Sequence, residues 1–231
     1  MVAAAAKAIG KPVRWMSERT EAMLTDNGGR DLISDTELAF DADHTLIGYR
    51  VDTVCNIGAY NSGFAQFIQT ELFAKVAQGV YDIRDIALTC KGLYTNTTQI
   101  DAYRGAGRPE AIFALERSMD NAARELGVDG WELRRKSFIR PEKFPYKTAL
   151  ADTYDVGEFD KVLTRAAAES DADGFAARRA ASEAAGKLRG FGLCYYIESI
   201  LGEQDERARV VFEEDGGVSL YLGTQSNGQL H

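Results

Sequence analysis

From Asp101 to Asp120 the sequence reads D-A-Y-R-G-A-G-R-P-E-A-I-F-A-L-E-R-S-M-D, and this stretch limits the fold more tightly than any other. Ile112, Leu115, Met119, Ala122 and Leu126 recur at intervals of three and four, the spacing of a helix with one buried stripe. Pro109 suits the first helical position and Gly127 the position just past the end, so the pattern predicts a helix over 109–126. The chain must therefore start this helix directly after A-Y-R-G-A-G-R, residues 102–108. Gly105 and Gly107 permit positive φ and close approach of the backbone to a ligand. The first-turn N–H groups and the positive end of the helix dipole face the loop, and Arg104 and Arg108 add donors and charge. The expectation is a local anion site. The competing reading is a tight turn whose arginines pair with surface carboxylates. Nucleotide loops fit badly: there is no G-x-x-x-x-G-K-[ST], and the dinucleotide fingerprint requires a third glycine after a buried strand, whereas polar T-N-T-T-Q-I-D precedes this loop.

Around this segment the chain reads as α+β, with mixed sheets and packed helices. Val2–Ile9 is a helical run. Alternating Leu38 and Phe40, then Ile47, Tyr49 and Val51, separated by Asp41-Ala42-Asp43-His44, predict a hairpin with one face in the core. Residues 65–77 read as helix and 85–96 as strand. Helices follow at 130–139, 156–170 and 175–187, and then three strands in 188–201, 207–215 and 216–224, with an acidic turn from Glu213 to Gly217. The pattern divides the chain into a first portion over 1–150, a helical connection over 151–187, and strands over 188–231 leading to a polar turn. At that turn, G-T-Q-S-N-G-Q-L-H, Gly228 allows close approach, and Ser226, Asn227 and Gln229 offer amide and hydroxyl groups able to read a polar heterocycle. Both ends read as cut, as in a piece of a larger protein, with Met1, Leu230 and His231 open to question as native residues.

Composition narrows the function classes. A net charge of −8 leaves little electrostatic grip on nucleic acid or anionic lipid. The opening apolar run is broken by Lys7, Gly10 and Pro12, too soon for a membrane span. Three cysteines, Cys55, Cys90 and Cys194, form no C-x-x-C and support neither a disulfide framework nor a metal site, so a reduced, cytoplasmic setting is expected. His44, in a predicted turn, reads as solvated, and with His231 as the only other histidine a Ser-His-Asp triad is not credible. Glu203, Asp205, Glu206, Glu213 and Glu214 read as a solvated face, and Tyr195 and Tyr196 as strand-packing residues.

Three blocks together, K-P-V-R-W-M-S-E-R-T-E-A-M, T-N-T-T-Q-I-D-A-Y-R-G-A-G-R-P-E-A-I-F-A-L-E-R-S-M-D-N-A-A-R-E-L-G-V-D and G-T-Q-S-N-G-Q-L-H, resemble the large, molybdenum-cofactor-binding subunit of the molybdenum hydroxylases, the family of xanthine dehydrogenase, aldehyde oxidase and the carbon monoxide dehydrogenase large chain. The resemblance covers nearly the whole chain and implies that 1–231 is a fragment of the molybdenum cofactor-binding domain. It implies that Tyr103, Arg104, Gly105, Ala106, Gly107 and Arg108 form the loop beside molybdenum, with Arg104 and Ala106 next to the reacting centre and the Arg104 backbone contacting an oxygen ligand of the metal. It implies further that Gly228 and Gln229 contact the pterin, although Leu230 stands where the family has glycine in G-Q-G-H.

By the same resemblance, purine-oxidising members carry an aromatic at the position of Ala106, and carbon monoxide dehydrogenases carry a copper-binding cysteine in the loop. Ala106 and the absence of cysteine from 102–108 therefore imply aldehydes or N-heteroaromatics as substrates. The base of the family is a glutamate far beyond position 231, and a glycine-rich segment of the active site precedes this region. The chain alone is thus expected to be inactive and without bound cofactor. Iron–sulfur and FAD subunits or domains are the implied electron-transfer partners. The alternative is a non-catalytic scaffold segment with a generic anion-binding loop.

Overall fold

The computed structural model describes residues 1–150, 152–200, 202 and 205–224. The chain divides into two compact units, Met1–Glu198 and Ser199–His231. In the first, helices α1 (Val2–Ile9) and α2 (Arg19–Thr25) precede a three-stranded sheet of β1 (Leu32–Phe40), β2 (Leu46–Gly58) and β3 (Asp85–Tyr94). β1 and β2 are antiparallel around the 41–45 turn, where the Asp41 carboxylate accepts from the N–H groups of Asp43 at 2.9 Å and Thr45 at 2.8 Å. β2 and β3 run parallel, from Gly48 opposite Asp85 to Asn56 opposite Leu93. A parallel pair needs a crossover. It carries α3 (Ala65–Phe67), a π-type turn at Ile68–Leu72 and α4 (Phe73–Val76).

The long helix α5 (Arg108–Leu126) and α6 (Gly130–Lys136) follow. Gly127 ends α5 at φ 67°, a left-handed cap that suits glycine. Asp129 starts α6 by accepting from the N–H groups of Trp131 and Glu132. The short strands β4 (Tyr146–Lys147) and β5 (Thr153–Tyr154) then lead to α7 (Phe159–Glu169) and α8 (Phe175–Ala184). One core joins Tyr49 and Val51 of β2, Phe73 and Val76 of α4, and Ala111, Leu115 and Met119 of α5. Leu115 and Met119 are almost wholly buried, each contributing about 1.5–3 kcal/mol of apolar transfer. The second unit contains the antiparallel hairpin of β6 (Ala208–Phe212) and β7 (Val218–Leu222).

The α+β reading and the helix from Pro109 agree with the structure, and five expectations are corrected. The register shifts between Ala39 and Phe40, pairing Phe40 with Leu46, so Leu46 enters the core where Ile47 was expected. The expected continuous helix over 65–77 is interrupted by the π-type turn. The helix expected over 130–139 stops at Lys136, because Phe138 and Ile139 turn back to bond the 80–81 backbone. Residues 188–200 form no strand. Their alternation is real, since Leu193, Tyr195 and Ile197 pack on the core, but no neighbouring strand completes a ladder among the described residues. The Tyr195 N–H instead donates to the Glu116 carboxylate at 2.9 Å. Tyr195 packs against Phe138 and Phe159, whereas Tyr196 is exposed.

Candidate active-site loop

The loop ahead of α5 takes an unusual backbone path. Gly105, Ala106 and Gly107 all have positive φ, at 99°, 39° and 93°. Glycine tolerates this region freely and alanine only with strain. Space imposes the same choice: a Cβ on Gly107 would collide with the Ile68 carbonyl oxygen of the π-type turn, and one on Gly105 would lie 2.5 Å from the Pro109 ring. Two tight turns set the path, with Ala106 N–H donating to the Tyr103 carbonyl at 2.7 Å and Arg108 N–H to the Gly105 carbonyl at 3.1 Å.

The donors at the start of α5 are partly engaged within the protein. Pro109 has no N–H, and the Gly107 N–H donates to the Glu110 carboxylate at 3.0 Å. Glu110 is buried, so its carboxylate occupies the end of the helix dipole that the sequence reading assigned to an external anion. Arg108 is also buried, and its Nε lies 3.1 Å from Glu198. The N–H groups of Arg104 and Gly105 donate to no described residue. Any ligand of this loop therefore meets the backbone at 104–105 more directly than the start of the helix.

Arg30 joins the loop from 74 residues upstream. Its guanidinium donates to the Arg104 carbonyl, lies 4.6 Å from the centre of the Tyr103 ring, and stands 3.7 Å from Glu110. Arg30 itself has φ 57°, a left-handed conformation that β-branched residues avoid. Backbone pairing of Gly28 with the 99–101 segment brings it there: Gly28 N–H donates to the Gln99 carbonyl and Asp101 N–H to the Gly28 carbonyl. Sequence reasoning missed Arg30, which carries no local signal. It also missed Glu110, although a glutamate three residues after the cap and just before an apolar run is a recognisable capping position.

The structure thus brings Tyr103, Arg104, Gly105, Ala106, Gly107 and Arg108 together. Tyr103 and Arg104 are exposed, Gly105 and Ala106 half-buried, and Gly107 and Arg108 buried. Gly228 and Gln229 lie outside the described residues. A crowded backbone, the unengaged N–H groups of Arg104 and Gly105 and a flanking guanidinium fit a compact oxygen-bearing group seated against the loop.

A family model of the molybdopterin cofactor-binding domain matches residues 1–138, and a second model of that description matches residues 165–231. The carbon monoxide dehydrogenase large chain of Hydrogenophaga pseudoflava is 31% identical over 239 residues, covering 96% of this chain and 30% of that protein. The nicotine 6-hydroxylase large subunit of Paenarthrobacter nicotinovorans is 28% identical over 242 residues, covering 98% of this chain and 29% of its own length. Among solved structures, quinoline 2-oxidoreductase from Pseudomonas putida 86 superposes with a TM-score of 0.82 at 26% identity, covering 99% of this chain and 31% of that one. The chain spans about 30% of the length of these relatives. The first family model runs through the loop and extends over more than half of the sequence, and the chain accordingly belongs to the molybdopterin cofactor-binding family of the molybdenum hydroxylases.

Proposed function

We propose that this chain supplies the loop that seats the molybdenum cofactor in the large subunit of a hydroxylase acting on aldehydes or N-heteroaromatic compounds. The observation that carries the reading is the run of three left-handed residues at 105–107, held rigidly beside unengaged N–H groups at 104 and 105. When bound, the cofactor supplies oxygen-atom transfer to an electron-poor carbon and accepts two electrons from it. The residues of this chain contribute position and electrostatics. Arg104 and Gly105 offer backbone donors whose direction is fixed before any ligand arrives, so no reorganisation is needed when negative charge develops. Arg30 holds the Arg104 carbonyl, and Glu110 holds the Gly107 N–H, so the donors keep their geometry. Gly228 and Gln229 are assigned to the pterin.

Ala106 sets the wall next to the substrate. A methyl group offers no stacking platform for a flat purine, and an aromatic pair contributes about 0.5–1.5 kcal/mol beyond burial. Residues 102–108 also hold no thiolate, the soft ligand that selects Cu(I). The related nicotine and quinoline enzymes are named for N-heteroaromatic substrates. Electrons leave through iron–sulfur and flavin subunits or domains, and the catalytic base lies outside this chain, so the chain alone has no turnover. No helix among the described residues is long and apolar enough to cross a membrane.

The test is to purify the protein that contains this chain from a host that makes the cofactor and to compare kcat/KM for benzaldehyde, nicotinate, xanthine and carbon monoxide. An aldehyde or N-heteroaromatic as the best substrate supports the reading. Carbon monoxide as the best substrate, with copper bound, overturns it.

A further inference from the structure

Away from the loop, β2 and β3 place two thiols in contact. Cys55 pairs with Gly92 and Cys90 with Thr53, so the two cysteines are diagonal neighbours on one face of a parallel pair, with Sγ atoms 3.6 Å apart. Both line a cavity of about 300 Å³, together with Gln69, Thr70, Gly92 and Tyr94. Gln69 is 5% exposed, and its Oε1 has no hydrogen-bond partner among the described residues. Gln69 thus lines the space that the two sulfurs share and carries a buried carbonyl oxygen without a donor, an acceptor that a small molecule bearing an O–H group can satisfy.

We propose that Cys55 and Cys90 form a redox-active dithiol that a small hydroperoxide oxidises to a disulfide inside this cavity. The hydroperoxide O–H donates to Gln69 Oε1 while the Cys90 sulfur attacks one peroxide oxygen. The O–O bond breaks, the departing oxygen takes up a proton as water or alcohol, and Cys90 becomes a sulfenic acid. The Cys55 sulfur then attacks the Cys90 sulfur. The S–S bond forms, the S–O bond breaks, and hydroxide leaves with the Cys55 proton as water. Two thiols lose two electrons and two protons, and the hydroperoxide gains them.

The asymmetry of the pair agrees with this order. Cys90 is half-buried, and the hydrogen bond from Cys55 holds its thiol down at about 7, whereas hydrogen bonding to Cys90 and burial push the Cys55 thiol far up. Closing from 3.6 Å to a bond of about 2.0 Å asks the sulfurs to approach by roughly 1.5 Å. Cys194, which is exposed and whose thiol is pushed up first by burial, serves as an internal reference.

The experiment treats the reduced full chain with equimolar hydrogen peroxide at neutral pH, quenches with an alkylating reagent and maps the peptides by mass. The expected product is a reducible Cys55–Cys90 crosslink lighter by two hydrogens, formed several times faster than any change at Cys194. In Cys55→Ser, Cys90 should accumulate as a sulfenic acid that dimedone traps. Oxidation of Cys194 as fast as Cys90, or oxidation of Cys90 with Cys55 left as a free thiol, overturns the proposal. Both overturning outcomes are read from the unsubstituted chain and so do not depend on how the Cys55→Ser variant folds.

Discussion

Gly107 and Arg30 carry the loop in different ways. At Gly107 the backbone itself is the constraint, since φ is 93° and a Cβ would strike the Ile68 carbonyl oxygen. Gly107→Ala should therefore destabilise the protein by about 2–4 kcal/mol, combining the left-handed penalty with overpacking. Urea unfolding measures it, and a loss under 0.5 kcal/mol would show that the loop yields. Arg30 should matter less for stability and more for geometry, because one guanidinium ties the Arg104 carbonyl, the Tyr103 ring and Glu110 together. Arg30→Met should cost about 1–2 kcal/mol but lower the molybdenum content of the purified protein severalfold, and Arg30→Lys should not restore it, since an ammonium cannot reproduce the planar contacts. Metal analysis alongside unfolding separates the two effects. At this scale the glycines were legible in R-G-A-G-R, because left-handed backbone leaves a mark in composition. The partner 74 residues away was not, because long-range pairing leaves no local pattern.

Helix α5 shows what periodicity can and cannot convey. Its stripe of Ile112, Leu115 and Met119 reads directly from the sequence, yet Glu116 is on the buried side as well. It receives Arg134 of α6 at 2.9 Å, the Tyr195 N–H at 2.9 Å, and the Tyr81 hydroxyl. Arg134 is fully buried and also reaches Asp120 at 2.8 Å. A charged pair that binds two helices and the 193–195 segment looks polar in any hydropathy pattern, so the sequence marks these residues as surface. Glu116→Ala should cost about 3–5 kcal/mol, because it strands a buried guanidinium, whereas the paired change Glu116→Leu with Arg134→Met should cost clearly less. Chemical denaturation of the three proteins checks this, and equal losses for the single and the paired change would contradict it. The π-type turn and the parallel pairing of β2 with β3 were illegible for a similar reason. Both follow from where the crossover lands, not from the side-chain period of either strand.

Across the molecule, five tyrosines hold their phenols protonated beyond the ordinary value of 10.0, with burial the leading cause at Tyr49, Tyr81, Tyr146, Tyr154 and Tyr195. Tyr146 and Tyr195 are each pushed up to about 12. For groups raised in the folded state, the folded chain keeps protons that the unfolded chain has released. Stability is then complete below about pH 10 and falls as pH rises from about 10 to about 12. Thermal melts between pH 9 and pH 12 should show a steep decline above about 10, and a flat profile would contradict the burial assigned to these phenols. The family was legible because its loop and flanking helix form one long contiguous block, while Gly228 and Gln229 lie outside the described residues. The proposed function turns on the backbone of Arg104 and Gly105 meeting the molybdenum centre. A crystal structure of the cofactor-loaded protein that contains this chain tests it most directly. The expected result is an oxygen on the metal within hydrogen-bonding distance of the Arg104 or Gly105 N–H, with residues 105–107 still left-handed; a cofactor seated elsewhere, with these N–H groups bonded only to water, would overturn that role.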